Sequence, residues 1–229
     1  MKKKKEKESI PIELKLILLG DSSVGKSSIF GRLSGKPFSE ETIATVGLEK
    51  IVIDFDDVKI DENVSQNFKI TLFDTAGQER YRSITRDYFR NSQGIILLYS
   101  IADEDSFKHI ENWLKSIKDS LSDWKKSEYM VMLLANKLDI AEEHPERRMI
   151  LIDEAERICS GEGIYWGGEC SAKTSEQNEL KEIFEEFIKQ IYLKVKDSDN
   201  FQNKEPKQVQ RLLTAAPKPK KKKKKICSK

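Results

Sequence analysis

Residues 20–27 read Gly-Asp-Ser-Ser-Val-Gly-Lys-Ser, directly after an apolar run and before a segment of helical spacing. Two glycines five positions apart, closed by Lys and Ser, suit one kind of chemistry, the holding of phosphate. The glycines let the backbone wrap closely. The N–H groups of Ser22, Ser23, Val24 and Gly25 then turn toward phosphate oxygens at the positive end of a helix begun by Lys26, Ser27 and Ser28. Lys26 adds a cation for the β- and γ-phosphates, and the Ser27 hydroxyl is placed to ligate Mg2+. The bland alternative is an ordinary Gly-rich strand-to-helix turn. By itself the loop separates neither ATP from GTP nor a kinase from a switch.

Two later tetrapeptides narrow the ligand. Asn136-Lys-Leu-Asp139 follows an apolar run, and the Asp139 carboxylate would accept both the N1–H and the N2–H2 of guanine, a pair that adenine lacks. Further on stands Cys170-Ser-Ala-Lys173. Each is weak alone, because Asn and Asp after a strand are usually turn formers. In this order behind a phosphate loop, the two together point to a guanine nucleotide, GTP or GDP.

The elements that must position these residues are legible as an alternation. Apolar runs at 14–19, 68–73, 94–100 and 130–135 read as strands, mostly continuous enough to be buried on both faces. Residues 51–55 alternate and read as an edge strand, and the polar run 56–67 reads as an elongated hairpin turn. Helical periodicity covers 26–33, 107–121, 150–159 and 179–195; in the last, Leu180, Ile183, Phe184, Phe187, Ile188 and Ile191 make one apolar face. Strand–helix alternation over this length predicts a doubly wound α/β sheet in one domain, about residues 10–195.

Composition bounds the rest. The 229 residues are 38% hydrophobic, enough for a packed core, but the longest apolar run, 129–135, is far short of a membrane span. The net charge of +2 hides a sorting of sign. Residues 1–9 hold five Lys against two Glu, and residues 196–229 hold twelve Lys and Arg against three acids, so the body between them is acidic. Blocks of this kind are usually tails, and 196–229 reads as a disordered one. The N-terminal lysines are not followed by a signal-peptide core, since Glu13 and Lys15 interrupt the apolar stretch and no small-residue cleavage site follows. Three cysteines, Cys159, Cys170 and Cys227, are too few for a disulfide framework and favour a reducing compartment.

Five motifs stand in one order: residues 20–27, Thr45-Val-Gly47, Asp74-Thr-Ala-Gly-Gln-Glu-Arg-Tyr81, Asn136–Asp139 and Glu169-Cys-Ser-Ala-Lys173. On them the chain resembles a Ras-superfamily small GTPase, and the continuation Tyr81-Arg-Ser-Ile-Thr85 with Tyr88-Phe-Arg90 is most like the Rab branch. The resemblance implies a small-GTPase fold, a mostly parallel six-stranded sheet with about five surrounding helices, and hydrolysis of GTP to GDP and phosphate. It implies that Thr45 coordinates Mg2+ and senses the γ-phosphate, that Asp74 holds the metal through water, and that the Gly77 N–H bonds the γ-phosphate. Gln78 would orient the attacking water, so that Lys26, Thr45, Gly77 and Gln78 form the catalytic set, and Ser27, Thr45 and Asp74 the metal set. Phe38 would pack on the guanine ring, its other reading being a satellite core residue. Ala172 would donate its N–H to the guanine O6, Lys137 would lie along the base, and Asn136, Ser171 and Lys173 complete the base site. Ser22 stands where a small residue tolerates an incoming arginine finger.

The match departs from the Rab pattern on the recognition surface. The stretch from Gly47 to Asp74 is longer than in a typical Rab, with the extra residues in 56–67. Gly47-Leu-Glu-Lys50 puts a lysine where an exposed aromatic usually serves effector contact, and Phe73 replaces a customary Trp. The end is atypical too. Residues 217–229 carry a lysine run and then Ile-Cys227-Ser-Lys, so Cys227 is third from the end and not in a C-a-a-X box. A lysine cluster gains roughly 1 kcal/mol per Lys at an anionic leaflet, and prenylation of Cys227 would supply the second signal that stable attachment needs. The expected setting is the cytoplasmic face of an intracellular membrane, in exchange with cytosol. The expected partners are a GTPase-activating protein, an exchange factor, effectors and an escort or GDI-type chaperone; no specific nucleic acid is expected, and the chain reads as a monomer. Two other readings stay open here: a slowly hydrolysing GTP-dependent scaffold, and a nuclear or transport-type GTPase addressed by its lysines.

Overall fold

The structure is a computed structural model that describes residues 10–40, 48–75, 92–120 and 129–196. Thr45, Gly77, Gln78 and Cys227 lie outside the described residues. Six strands form one sheet: β1 (Ile12–Leu19), β2 (Leu48–Lys59), β3 (Ser65–Thr75), β4 (Gly94–Ser100), β5 (Met130–Asn136) and β6 (Tyr165–Glu169). Their order is β2-β3-β1-β4-β5-β6, with every pairing parallel except β2 against β3. The described α-helices are α1 (Lys26–Leu33), α2 (Glu104–Lys108), α3 (Ile110–Ser120), α4 (Leu138–Glu143), α5 (Ile152–Glu162) and α6 (Gln177–Lys196).

The sheet is buried on both faces because β1, β4 and β5 carry apolar side chains at nearly every position. Along β1, Leu14, Leu16 and Leu18 enter the core shared with α1 and α6, through Phe184, Phe187 and Ile191. Ile17 and Leu19 enter the opposite core with Tyr99, Trp113 of α3 and Ala155 of α5. This two-sided alternation is what strand geometry dictates. It also fixes where the chemistry goes. The C-terminal ends of β1, β3, β4, β5 and β6 all point to one edge, and the chain leaves β1 at the place where neighbouring strands run off in both directions. Ligands of open α/β sheets bind in that crevice.

Three local expectations need correction. Residues 56–67 are not one long turn: β2 runs to Lys59 and β3 starts at Ser65, so the added residues lengthen the hairpin's strands and leave a short turn at 60–64. The polar side chains misled because this stretch lies on a sheet edge. A register shift between Phe55 and Val58, with Asp57 at φ 55°, lets both apolar residues stay buried. The helix expected over 107–121 is divided, with α2 ending at Lys108 and α3 beginning at Ile110. β6 was not expected as a strand, since Tyr-Trp-Gly-Gly-Glu lacks a strand's pattern.

Candidate functional site

The turn after β1 is built by backbone conformations that few residues adopt. Gly20 has φ 134°, Ser23 φ 63° and Gly25 φ 100°. A Cβ on Gly20 would stand 2.2 Å from the Leu98 carbonyl oxygen, and one on Gly25 would stand 2.1 Å from Asn136 Nδ2. Both glycines are therefore required by neighbours as well as by φ. Ser22, Ser23 and Ser27 are exposed around the loop, Ser28 is half-buried, and Val24 is buried beneath it. Non-glycine Ser23 in the left-handed region is the kind of local strain that accompanies functional loops.

Lys26 opens α1 and folds back over the loop. Its Nζ donates to the carbonyl oxygens of Gly20 at 2.9 Å and Asp21 at 2.5 Å. Burial pushes its ammonium down to about 8, against the raising influence of Asp74 and Asp21. A desolvated cation held by two carbonyls gains most from a bound polyanion. Asp74 lies at the end of β3, 1% exposed, and its Oδ1 is buried with no hydrogen-bond partner. Burial raises its carboxyl, opposed by a hydrogen bond with Ser27 and by the charge of Lys26. A buried carboxylate oxygen left bare beside a serine hydroxyl is an oxygen-donor set that fits a hard divalent cation such as Mg2+.

The second half of the site is set by the ends of β5 and β6. Asn136, 1% exposed, donates through Nδ2 to the Val24 carbonyl at 2.8 Å and accepts at Oδ1 from the Ala172 N–H at 3.0 Å. One side chain thus joins the turn after β1 to the turn after β6. Lys137, at φ 70°, swings the chain into α4, and the Leu138 N–H bonds the Cys170 carbonyl at 3.0 Å. Asp139 Oδ1 accepts from the Ser171 hydroxyl at 2.6 Å, while the Ser171 oxygen accepts from the N–H groups of Lys173 and Thr174 at 3.1 and 3.0 Å. Asp139 is held in one rotation by a serine that is itself held by its own loop. A bidentate ion pair of Arg148 with Glu169, 2.7 and 2.9 Å, anchors the strand end just before Cys170. Phe38 is half-buried against the α1–α6 core, and Lys173 reaches Glu40 at 3.8 Å, bringing the 38–40 segment beside this loop.

The structure therefore brings together the residues read from the two tetrapeptides and the phosphate loop. Sequence reasoning overlooked the links between them: the Asn136 tie, Ser171 as a holder of Asp139, Arg148, and Asp21, whose carboxylate turns away from the loop. A groove of about 640 Å3 beside Ser171 is rimmed by Glu142, Glu169, Glu179, Glu182 and Glu186. It includes no residue of 20–27, and its charge is wrong for a polyphosphate.

The model of the Ras family matches residues 15–193. The chain belongs to the Ras family. Among curated relatives, Rab-13 of Mesocricetus auratus is 38% identical over 79% of this chain and 80% of its own. RAB1BV of Beta vulgaris is 36% identical over 84% of this chain and 82% of its own. YPT52 of Saccharomyces cerevisiae, a GTP-binding protein by name, is 34% identical over 81% and 85%. This Ras-family chain is a Rab-like small GTPase, an enzyme of the class that hydrolyses GTP, and its six-stranded sheet with one antiparallel pair is the fold of that class.

Proposed function

We propose that this Rab-like GTPase binds GTP or GDP with Mg2+ in the crevice at the end of β1, and acts as a switch in membrane traffic. The observation that carries the reading is the Asn136 side chain, which couples Val24 of the phosphate loop to Ala172 of the base loop. Phosphate and base contacts are thereby one unit. Lys26 supplies the cation for the β- and γ-phosphates, and Asp139 accepts from the N1–H and N2–H2 of guanine. The Ala172 N–H, given to Asn136 Oδ1 in the structure, would be shared with the guanine O6 when nucleotide binds, and Lys137 and Phe38 would flank the ring. Ser27, Asp74 and Thr45 would hold Mg2+, which neutralises charge on the phosphate oxygens. Gly77 and Gln78 take the roles of γ-phosphate contact and water orientation, and segments around Thr45 and Gly77 would report the γ-phosphate to effectors.

The tail supplies location in this reading. Residues 196–229 tether the domain to an anionic cytoplasmic leaflet, with a prenyl group on Cys227 as the second anchor. An activating protein, an exchange factor, effectors and a GDI-type chaperone are the partners such a cycle requires. The deciding experiment is titration of the purified chain with fluorescent GDP and ADP, with and without Mg2+, followed by single-turnover GTP hydrolysis. Selective GDP binding that weakens on removing Mg2+, with slower hydrolysis in Gln78→Leu at nearly intact affinity, is the expected result. Equal binding of ADP, or wild-type hydrolysis in the variant, overturns it.

A further inference from the structure

An acidic residue inside a loop that cradles polyphosphate poses an electrostatic problem: Asp21 brings an anion next to the ligand's own charge. The fold answers it with two donors from the α2–α3 region. His109 Nδ1 lies 2.5 Å from Asp21 Oδ2, and Trp113 Nε1–H donates to Asp21 Oδ1 at 2.8 Å. An ionised carboxylate accepts only, so the proton in the first contact belongs to the imidazole. His109 and Trp113 are one helical turn apart, linked by the Trp113 N–H to His109 carbonyl bond at 3.0 Å, and so present both donors on one face. Trp113 is 3% exposed and packed in the core beneath, whereas the His109 side chain is about half exposed.

The contact has a second consequence. The same Asp21 whose carboxylate is held offers its backbone carbonyl to Lys26 Nζ. We infer that His109 and Trp113 are positioning residues for the phosphate loop: they turn the Asp21 carboxylate away from the phosphates and hold its carbonyl where it aims Lys26. The inference rests on the reading of residues 20–27 as a GTP- and GDP-binding loop. It assigns a role in that loop to residues about ninety positions away that belong to none of the five motifs.

The test is the dissociation rate of fluorescent GDP from the full chain, beside the affinity for GMP, which lacks the β-phosphate that Lys26 addresses. Removing a hydrogen bond to a charged group should speed GDP release roughly tenfold in Trp113→Phe and roughly threefold in the more exposed His109→Ala. GMP affinity should stay at the wild-type value in both. His109→Asn, which keeps a donor, should restore slow release. In Asp21→Ala, where no carboxylate remains to be held, adding His109→Ala should change nothing further. Unchanged GDP release in both single variants overturns the inference, as do equal shifts for GDP and GMP, which would mean a general packing defect. A wild-type chain that binds no GDP instead overturns the reading of the loop itself, and this inference with it.

Discussion

The Asn136 Nδ2 donates to the carbonyl oxygen of Val24 across 112 residues of chain, while its Oδ1 receives the N–H of Ala172. Both partners are backbone groups, and the side chain is buried, so no other residue type reproduces the pair of bonds. Asn136→Ala leaves two buried backbone groups unpaired at about 1–3 kcal/mol each. It should therefore raise the GDP dissociation constant by at least about tenfold, with a parallel loss for GTP. Isothermal titration with both nucleotides checks this, and a loss confined to one of them would contradict the coupling.

Asp139 owes its rotation to Ser171, at 2.6 Å. Two substitutions separate orientation from recognition. Ser171→Ala should weaken GDP by about 1–2 kcal/mol without changing which base is preferred, because the carboxylate survives but is no longer held. Asp139→Asn should change the preference itself. An amide cannot accept both guanine donors, yet it can donate to the O2 of xanthine, so binding should shift from GDP toward xanthosine diphosphate. Competition between the two nucleotides against a fluorescent probe reads both effects.

Two glycines of the same region should respond to alanine with opposite signs. Gly20 sits at φ 134° with the Leu98 carbonyl in the way of any Cβ, whereas Gly31 lies within α1 and a Cβ there meets nothing within 4 Å. Gly20→Ala should cost about 3 kcal/mol or more, from a disfavoured φ and a backbone clash. Gly31→Ala should gain about 0.5–1 kcal/mol from helix propensity. Urea denaturation of the GDP-bound chain, with nucleotide concentration fixed, measures both.

The strands that carry the site could be read because burial on both faces leaves a simple mark. The second half of β1 and nearly all of β4 and β5 are apolar, and Asn136 and the Gly20 turn stand where those runs stop. The β2–β3 hairpin was hidden because an edge strand pairs through its backbone, so Asp54, Asp56 and Asp57 cost it little. β6 was hidden because its two glycines suit close packing, Gly167 lying against Met132, and carry no strand pattern. Contacts such as Asp21 with Trp113, or Arg148 with Glu169, depend on where whole helices and loops settle on the sheet. No local pattern announces them, whereas the residue types of the five motifs are enough to announce the family.

Cys170 turns this arrangement into a probe. Burial pushes the thiols of Cys159 and Cys170 up to about 12. In the closed chain both thiols are therefore held protonated at pH 8, and alkylation must wait for local opening. The two sites differ in what opens them. Cys159 lies in α5 against the core on one sheet face, while the Cys170 Sγ stands 3.8 Å from Asn136 Oδ1, within the turn after β6 that we propose as the base site. In a Cys227→Ser background, GDP with Mg2+ should slow iodoacetamide labelling of Cys170 by at least about tenfold, because a ligand closing that turn lowers its open population by mass action. Labelling of Cys159 should change far less. Peptide mass spectrometry over a time course separates the two, and equal protection of both thiols would mean that the nucleotide stabilises the domain as a whole and not this turn.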